Sequence, residues 1–441
     1  CYALKLAGSL DITEIPGSDC LHEPNGVIKE AQERAASCFG ADYSLFLVNG
    51  STSGIHAMIQ ATVKPEGKLI LGRDCHVSAM NALAQINGEP VFVLPEVDEK
   101  NQIPLGVTAE SLEQVIKENP DAQAILINRP GYYGTATQLE KISRLAKAYN
   151  IPLLVDEAHG AHFSFHEDFP KPAITMGADL CVQSLHKTLP SLTQTAILHG
   201  SSKGLVDRDI IEKAVSMVQT TSPSYLLMSS IDMARSFLED RGRELYENLK
   251  HNISDFFIKL NENTCVKRIA CNYSDFDNDF SRIVLNFESA GLSGFEAEKI
   301  LRTRFGIIAE MADLNNIVLI ATPFHIPEDF DKLLIALRMI SEELRVSEIK
   351  REFPHWPQKT PERIVPLRKA LFDNAEDISL NDSIGKVCGA YITPYPPGIP
   401  LVAPGEIIDR EIIVIVDILL RENCPVHGIH NRKIKVLKAH Y

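Results

Sequence analysis

Ile151-Pro152-Leu153-Leu154-Val155-Asp156-Glu157-Ala158-His159 is the stretch on which the reading of this chain turns, together with Ser184-Leu185-His186-Lys187-Thr188 further along. An apolar run that ends on an acid reads as a strand buried on both faces. Such a strand delivers its carboxylate to the carboxyl edge of a parallel sheet, where open α/β folds bind ligands. The second stretch comes one β-α-β step later and sets a lysine just beyond another apolar run, Leu180 to Gln183. Taken singly, Lys187 is most simply a surface lysine and Asp156 a helix cap. Taken together they meet the requirements of pyridoxal phosphate chemistry. The lysine would hold the cofactor aldehyde as a Schiff base, and the aspartate would keep the pyridine nitrogen protonated so that the ring accepts electrons. Ala158 is small enough to let a flat ring lie against the backbone.

Outward from this pair, Gly26 to Gly200 alternates helical and strand-like patterns and predicts a mainly parallel sheet covered by helices. Tyr43–Val48, Lys68–Leu71, Pro90–Leu94, Ala124–Ile127, Pro152–Val155 and Leu180–Gln183 are the expected strands, and Val27–Phe39 is an amphipathic helix. Asn49-Gly50-Ser51-Thr52-Ser53-Gly54 leads from the first strand into an apolar helix through Ile59. Backbone N–H groups and hydroxyls at a helix start suit a phosphate, and equally a plain helix cap. His76, after the next strand, is positioned either to stack on a ring or to serve the fold.

Beyond Ser222-Pro223-Ser224-Tyr225 a long helix, Leu226 to Lys259, predicts a connector to an α+β region with strands at Ser281–Phe287 and Ile317–Ala321 and helices at Gly294–Phe305 and Asp329–Leu344. Pro354-His355-Trp356-Pro357 marks a boundary. The proline density of Thr393 to Pro400 predicts an extended, rigid segment. The expected domains are residues 1–235, 236–350 and 355–441.

The composition is globular, with 45% hydrophobic and 23% charged residues. A net charge of -14 without a basic run argues against nucleic acid. No apolar stretch is long enough to span a membrane and no signal peptide pattern opens the chain, so a cytoplasmic protein is expected. Nine scattered cysteines without a Cys-x-x-Cys pair fit reduced thiols, and His159-x-x-His162 lacks the partners of a structural zinc site, so no metal is expected.

Asp-Glu-Ala-His at 156–159, Ser-Leu-His-Lys at 184–187, the hydroxyl loop 51–53, His76 and Pro-Tyr-Pro-Pro-Gly at 394–398 resemble the bacterial ornithine/lysine/arginine decarboxylases. The resemblance runs from Thr13-Glu14-Ile15-Pro16-Gly17 to His427-Gly428, and is to the short branch without an N-terminal wing domain. It implies the fold type I, aspartate aminotransferase-like architecture of pyridoxal phosphate enzymes, with a small α+β domain and a C-terminal decarboxylase domain. By position it makes Lys187 the Schiff-base lysine, Asp156 the pyridinium partner and His76 the stacking residue. Ser51, Thr52, Ser53, Ser184 and His186 would surround the phosphate, with Ala158 and His159 beside the cofactor. Lys187 and His186 are both candidates for protonating the α-carbon. Thr221 and Ser222 match a segment that reaches the cofactor of a neighbouring subunit, which implies a homodimer at least. Glu310 matches a substrate glutamate suited to a distal amine or guanidinium. The implied reaction is α-decarboxylation of a basic amino acid, lysine or arginine before ornithine. An aminotransferase or lyase of the same fold, or an inactive regulatory relative, are the alternatives. Two features depart from the family pattern. Cys20 stands in Asp19-Cys20-Leu21-His22 where a second aspartate is usual, and a leading Pro-Gly-His-Lys segment is absent from this sequence.

Overall fold

Six strands of the central sheet fall on the six apolar runs read from the sequence. They are β1 (Tyr43–Leu47), β2 (Lys68–Gly72), β3 (Glu89–Val93), β4 (Ala124–Asn128), β5 (Leu153–Asp156) and β6 (Leu180–Ser184). The computed structural model describes residues 8–438, apart from Pro16 and residues 262–263, 271–272, 345–358 and 396–397. A seventh strand, β7 (Ala196–Gly200), is not foreseen by the sequence reading. The order is β1-β7-β6-β5-β4-β2-β3, and β7 runs antiparallel to both of its neighbours. The sheet is therefore mixed. Leu185 N–H donates to Thr195 O at 3.1 Å, closing a short return from β6 to β7. So short a return delivers an antiparallel strand, whereas a parallel one needs a longer crossover.

Alternation along each strand sends side chains to two cores. Leu126, Leu154 and Val182 pack with Ile55, Met58 and Ile59 on one face. Ile125, Ile127, Val155 and Cys181 pack with Leu112, Ile116 and Ile142 on the other. Burying each such aliphatic chain contributes ~1.5–3 kcal/mol. Helix α1 (Val27–Phe39) precedes the sheet, α2 (Gly50–Thr62) follows β1, and α3 (Val77–Gln85) follows β2. A Cβ on Gly54 would lie 2.5 Å from Val182 Cγ2 and 2.8 Å from Leu47 Cδ1. Only glycine therefore lets α2 lie this close to β1 and β6.

Helix α4 (Tyr225–Leu260) buries Phe256, Phe257 and Leu260 in a core shared with a second, antiparallel sheet. That sheet has the order β8 (Lys267–Arg268), β9 (Arg282–Asn286), β11 (Asn316–Ile320), β10 (Met311–Ala312), and its helices are α5 (Gly294–Phe305) and α6 (Pro327–Leu344). A third sheet pairs β12 (Ala375–Ser379) and β13 (Ile429–His430) with β14 (Lys433–Leu437), beside α7 (Arg410–Arg421). The boundary motif Pro354 to Pro357 lies outside the described residues. The segment after Thr393 is not extended throughout. Gly398 adopts φ +89° and its N–H donates to Pro394 O at 3.1 Å, so the expected extension is interrupted at this glycine. Among the described residues no helix is long and apolar enough to cross a membrane.

Candidate active site

The carboxyl ends of β1, β2, β4, β5 and β6 converge, and the pleat divides the two acids of Asp156-Glu157 between different surroundings. Asp156 is half-buried and its Oδ1 accepts from Ala158 N–H at 3.1 Å. Glu157 is fully buried, where it accepts from Arg129 Nη1 at 2.9 Å, Ala173 N–H at 2.9 Å and Gln183 Nε2 at 2.8 Å. Glu157 thus locks the turn into the sheet and leaves Asp156 facing outward.

Lys187 sits in the single helical turn Leu185–Thr188 that follows β6, with Nζ 3.1 Å from His159 Nε2. Burial lowers the pKa of the lysine and the charge of Arg282 adds to this, while Asp156 and Glu310 pull the other way. His159 is buried and held well below the usual histidine range, first by burial and then by the charges of Lys187 and Arg282. The Tyr132 ring lies 4.8 Å from the His159 ring. The result is a desolvated amine against a neutral imidazole, suited to nucleophilic attack on a carbonyl.

At the start of α2 the amides of Ser51 and Thr52 belong to the first turn, which has no intrahelical acceptors. Ser184 Oγ donates to Ser51 Oγ at 2.7 Å, so strand β6 and the α2 terminus share one hydroxyl pair. Ser53 turns inward to Gly50 O at 2.8 Å, and Thr52 is exposed. His186 is half-buried with Nδ1 2.9 Å from Thr195 O. Thr221 and Ser222 are exposed, and their loop is tethered to the same helix start by Thr220 N–H to Asn49 Oδ1 at 3.3 Å.

His76 caps α3, its Nδ1 accepting from Ser78 N–H at 3.2 Å, and burial lowers its pKa. The C-terminal region closes over it. A Cβ on Gly398 would stand 3.3 Å from His76 Cδ2, and Arg73 fastens this region by donating to Leu401 O at 3.1 Å and Glu406 Oε2 at 2.9 Å. Glu310, just before β10, is exposed, yet its charge reaches both Lys187 and Tyr132. In the N-terminal loop Asp19 accepts five backbone N–H groups, from Cys20, Asn25, Gly26 and Ile28 at 2.8–3.0 Å and from Lys29 at 3.4 Å. That loop is therefore built on one carboxylate, and among the described residues the thiol of Cys20 makes no hydrogen bond within it.

The sequence reading missed three groups: Glu157 with Arg129, Gly398 as the cover of His76, and Arg282. Arg282 is fully buried at the head of β9, and its Nη2 reaches His159 Nδ1 at 3.2 Å and His159 O at 3.3 Å. A charged residue opening the apolar run Ile283-Val284-Leu285 is the one local sign of it.

Residues 7–276 match the model of the Orn/Lys/Arg decarboxylase major domain, and residues 349–423 match that of the family's C-terminal domain. This chain belongs to that family. Among its relatives are the arginine decarboxylases of Bacillus subtilis and Halalkalibacterium halodurans. Each is 36% identical over 98% of this chain and 89% of its own length. Lysine decarboxylase A from Pseudomonas aeruginosa has the same fold, with a TM-score of 0.81 at 19% identity over 97% of this chain and 73% of that one. Membership makes pyridoxal phosphate the cofactor. The residues fit it. A half-buried, desolvated amine has a neutral ring as its neighbour, a carboxylate faces outward from a strand end, and the first-turn amides of α2 stand beside the Ser51–Ser184 hydroxyl pair.

Proposed function

We propose that this chain is a decarboxylase of a basic amino acid, arginine or lysine, giving agmatine or a diamine and carbon dioxide. Arginine comes first because the two relatives at 36% identity are named arginine decarboxylases. The observation that carries the reading is Lys187, a desolvated amine at the carboxyl edge of the sheet with Asp156 and Glu310 within electrostatic reach. Bound pyridoxal phosphate supplies an electron-accepting ring that takes up the electron pair left when carbon dioxide departs. Lys187 Nζ would hold the aldehyde carbon and be displaced by the substrate amine. Asp156 would keep a proton on the ring nitrogen. Ser51, Thr52 and Ser53 at the start of α2, with the hydroxyl of Ser184 and the His186 ring, would take the phosphate. His76 would lie on the open face of the ring, Ala158 and His159 would flank it, and Thr221 and Ser222 would complete the phosphate site of a partner in a homodimer. Glu310 would fix the distal cation of the substrate. Lys187 or His186 would then return a proton to the α-carbon.

We also propose residues 1–235, 236–350 and 355–441 as the three domains, in a cytoplasmic enzyme. The test is carbon dioxide release with arginine, lysine and ornithine in parallel. Release with at least one of them, and loss of both release and visible cofactor absorbance in Lys187→Ala, is the expected result. Keto-acid formation in place of carbon dioxide, or a Lys187→Ala chain that keeps both signals, overturns the reading.

A further inference from the structure

Arg282, His159 and Lys187 form a chain of contacts in which every proton can be assigned from chemistry alone. Arginine only donates hydrogen bonds. Its Nη2 lies 3.2 Å from His159 Nδ1, so Nδ1 must present a lone pair. A neutral imidazole with an accepting Nδ1 carries its proton on Nε2. That proton points at Lys187 Nζ, 3.1 Å away, and the amine can accept it only through its own lone pair. Behind Arg282 stands Asp279, with Nε 3.4 Å from Oδ2, itself held by His162 Nε2 at 3.1 Å and by Ser281 N–H and Oγ at 2.9 and 2.6 Å. The bare Cα of Gly134 makes room for the arginine stem, since a Cβ there would lie 2.7 Å from Arg282 Cγ.

We propose that Arg282 is a positioning residue: it fixes the His159 proton on Nε2 and so holds Lys187 as a neutral amine, ready to bond to the cofactor aldehyde. The inference rests on reading Lys187 as the cofactor anchor. In that step the Nζ lone pair bonds to the aldehyde carbon, and water leaves with the aldehyde oxygen and both amine protons. The charged and titratable groups facing Lys187 are His159, Asp156, Glu310, Arg282 and His76. Those facing His159 are Lys187, Arg282, His76, His162 and Tyr132. Arg282 is the one fixed cation common to both sets, and it comes from the second sheet. Placement of β9 against the large sheet therefore sets the protonation of the anchor.

The test uses the full chain freed of cofactor and labelled with ¹⁵N-histidine, with the His159 signals assigned through His159→Asn. Wild type is expected to show an unprotonated Nδ1 and a protonated Nε2. Arg282→Met is expected to lose that preference. Its capture of pyridoxal phosphate at pH 7, read as mass added after borohydride reduction, should slow about tenfold, with the midpoint of the capture-pH profile raised by about one unit. Arg282→Lys should restore most of the rate. If Arg282→Met does not fold, Arg282→Met with Asp279→Asn removes both charges and serves the same comparison. An unprotonated Nε2 in wild type, or an unchanged capture profile in the methionine variant, overturns the inference while leaving Lys187 as anchor. A Lys187→Ala chain that still fixes one equivalent of cofactor overturns the anchor reading, and this inference with it.

Discussion

Arg129 with Glu157 and Arg282 with Asp279 are chemically the same pair, each fully buried, and the turn Asp156–His159 touches both. Their surroundings differ. Arg129 gives Nε to Thr137 O at 2.9 Å, Nη1 to Glu157 Oε1 and Lys171 O at 2.9 Å each, and Nη2 to Met176 Sδ at 3.3 Å. Glu157 is saturated in turn by Ala173, Gln183 and Cys181. Arg282 has a long contact to its carboxylate, spends Nη2 on His159, and leaves Nη1 without a hydrogen-bond partner among the described residues. A buried pair whose donors and acceptors are used up within the scaffold can only hold shape. One that directs a donor onto a titratable ring sets the state of that ring.

The comparison breaks most sharply at Glu157. Glu157→Ala strands the Arg129 guanidinium in the core, and removing one partner of a buried pair costs about 3–5 kcal/mol. The urea midpoint should fall accordingly, and soluble yield with it. A loss below about 1 kcal/mol would mean that the pair is not the lock described here.

On the other side, Asp279→Asn should cost less and in a pH-dependent way. Burial pushes the carboxyl up, but His162, Arg282 and Ser281 together outweigh it and bring the pKa from 3.8 to about 2. At ~1.4 kcal/mol per pH unit this is worth about 2 kcal/mol. A lowered carboxyl stabilises the fold fully above its unfolded value, and that contribution is lost as pH falls through the folded one. Wild type and Asp279→Asn should thus differ at pH 7 and converge as pH drops from 3.8 towards 2. Urea midpoints across that range measure it, and a gap independent of pH would show that the charge does not contribute.

How far these pairs were legible in the sequence follows from their physics. Strands buried on both faces are continuous apolar runs, so β1 to β6 could be read one by one, and the acid ending β5 and the lysine after β6 came with them. Strand β7 was hidden because the polar stretch Ser191 to Thr195 reads as loop, and a short antiparallel return carries no helical pattern of its own. Glu157 stood inside the quoted motif, but adjacent acids look alike on paper and only the pleat sends one to the site and the other to the core. Arg282 is 123 residues from His159, and nothing local ties one to the other. The same holds for Gly398, whose contact with His76 depends on where the C-terminal region docks.

Two histidines extend the contrast with the smallest expected effect. His159 and His199 are both buried, and burial lowers both. His159 is satisfied by a lysine and an arginine, whereas His199 is satisfied by Ser44 Oγ at 2.7 Å and Gln183 Oε1 at 3.2 Å, neither of which titrates. His199 is pushed from 6.5 down to about 3. Between those values the unfolded chain binds a proton there that the folded chain refuses, so stability rises with pH across the window, by up to ~1.4 kcal/mol per pH unit. His199→Asn keeps an acceptor for Ser44 and removes the titration. Its stability should fall less steeply than wild type from pH 6.5 to pH 5, the difference growing to about 2 kcal/mol. Parallel urea titrations at half-unit pH steps read this directly. Equal slopes would mean that His199 is protonated within the fold, and the distinction between a structural and a functional buried histidine would no longer rest on their partners.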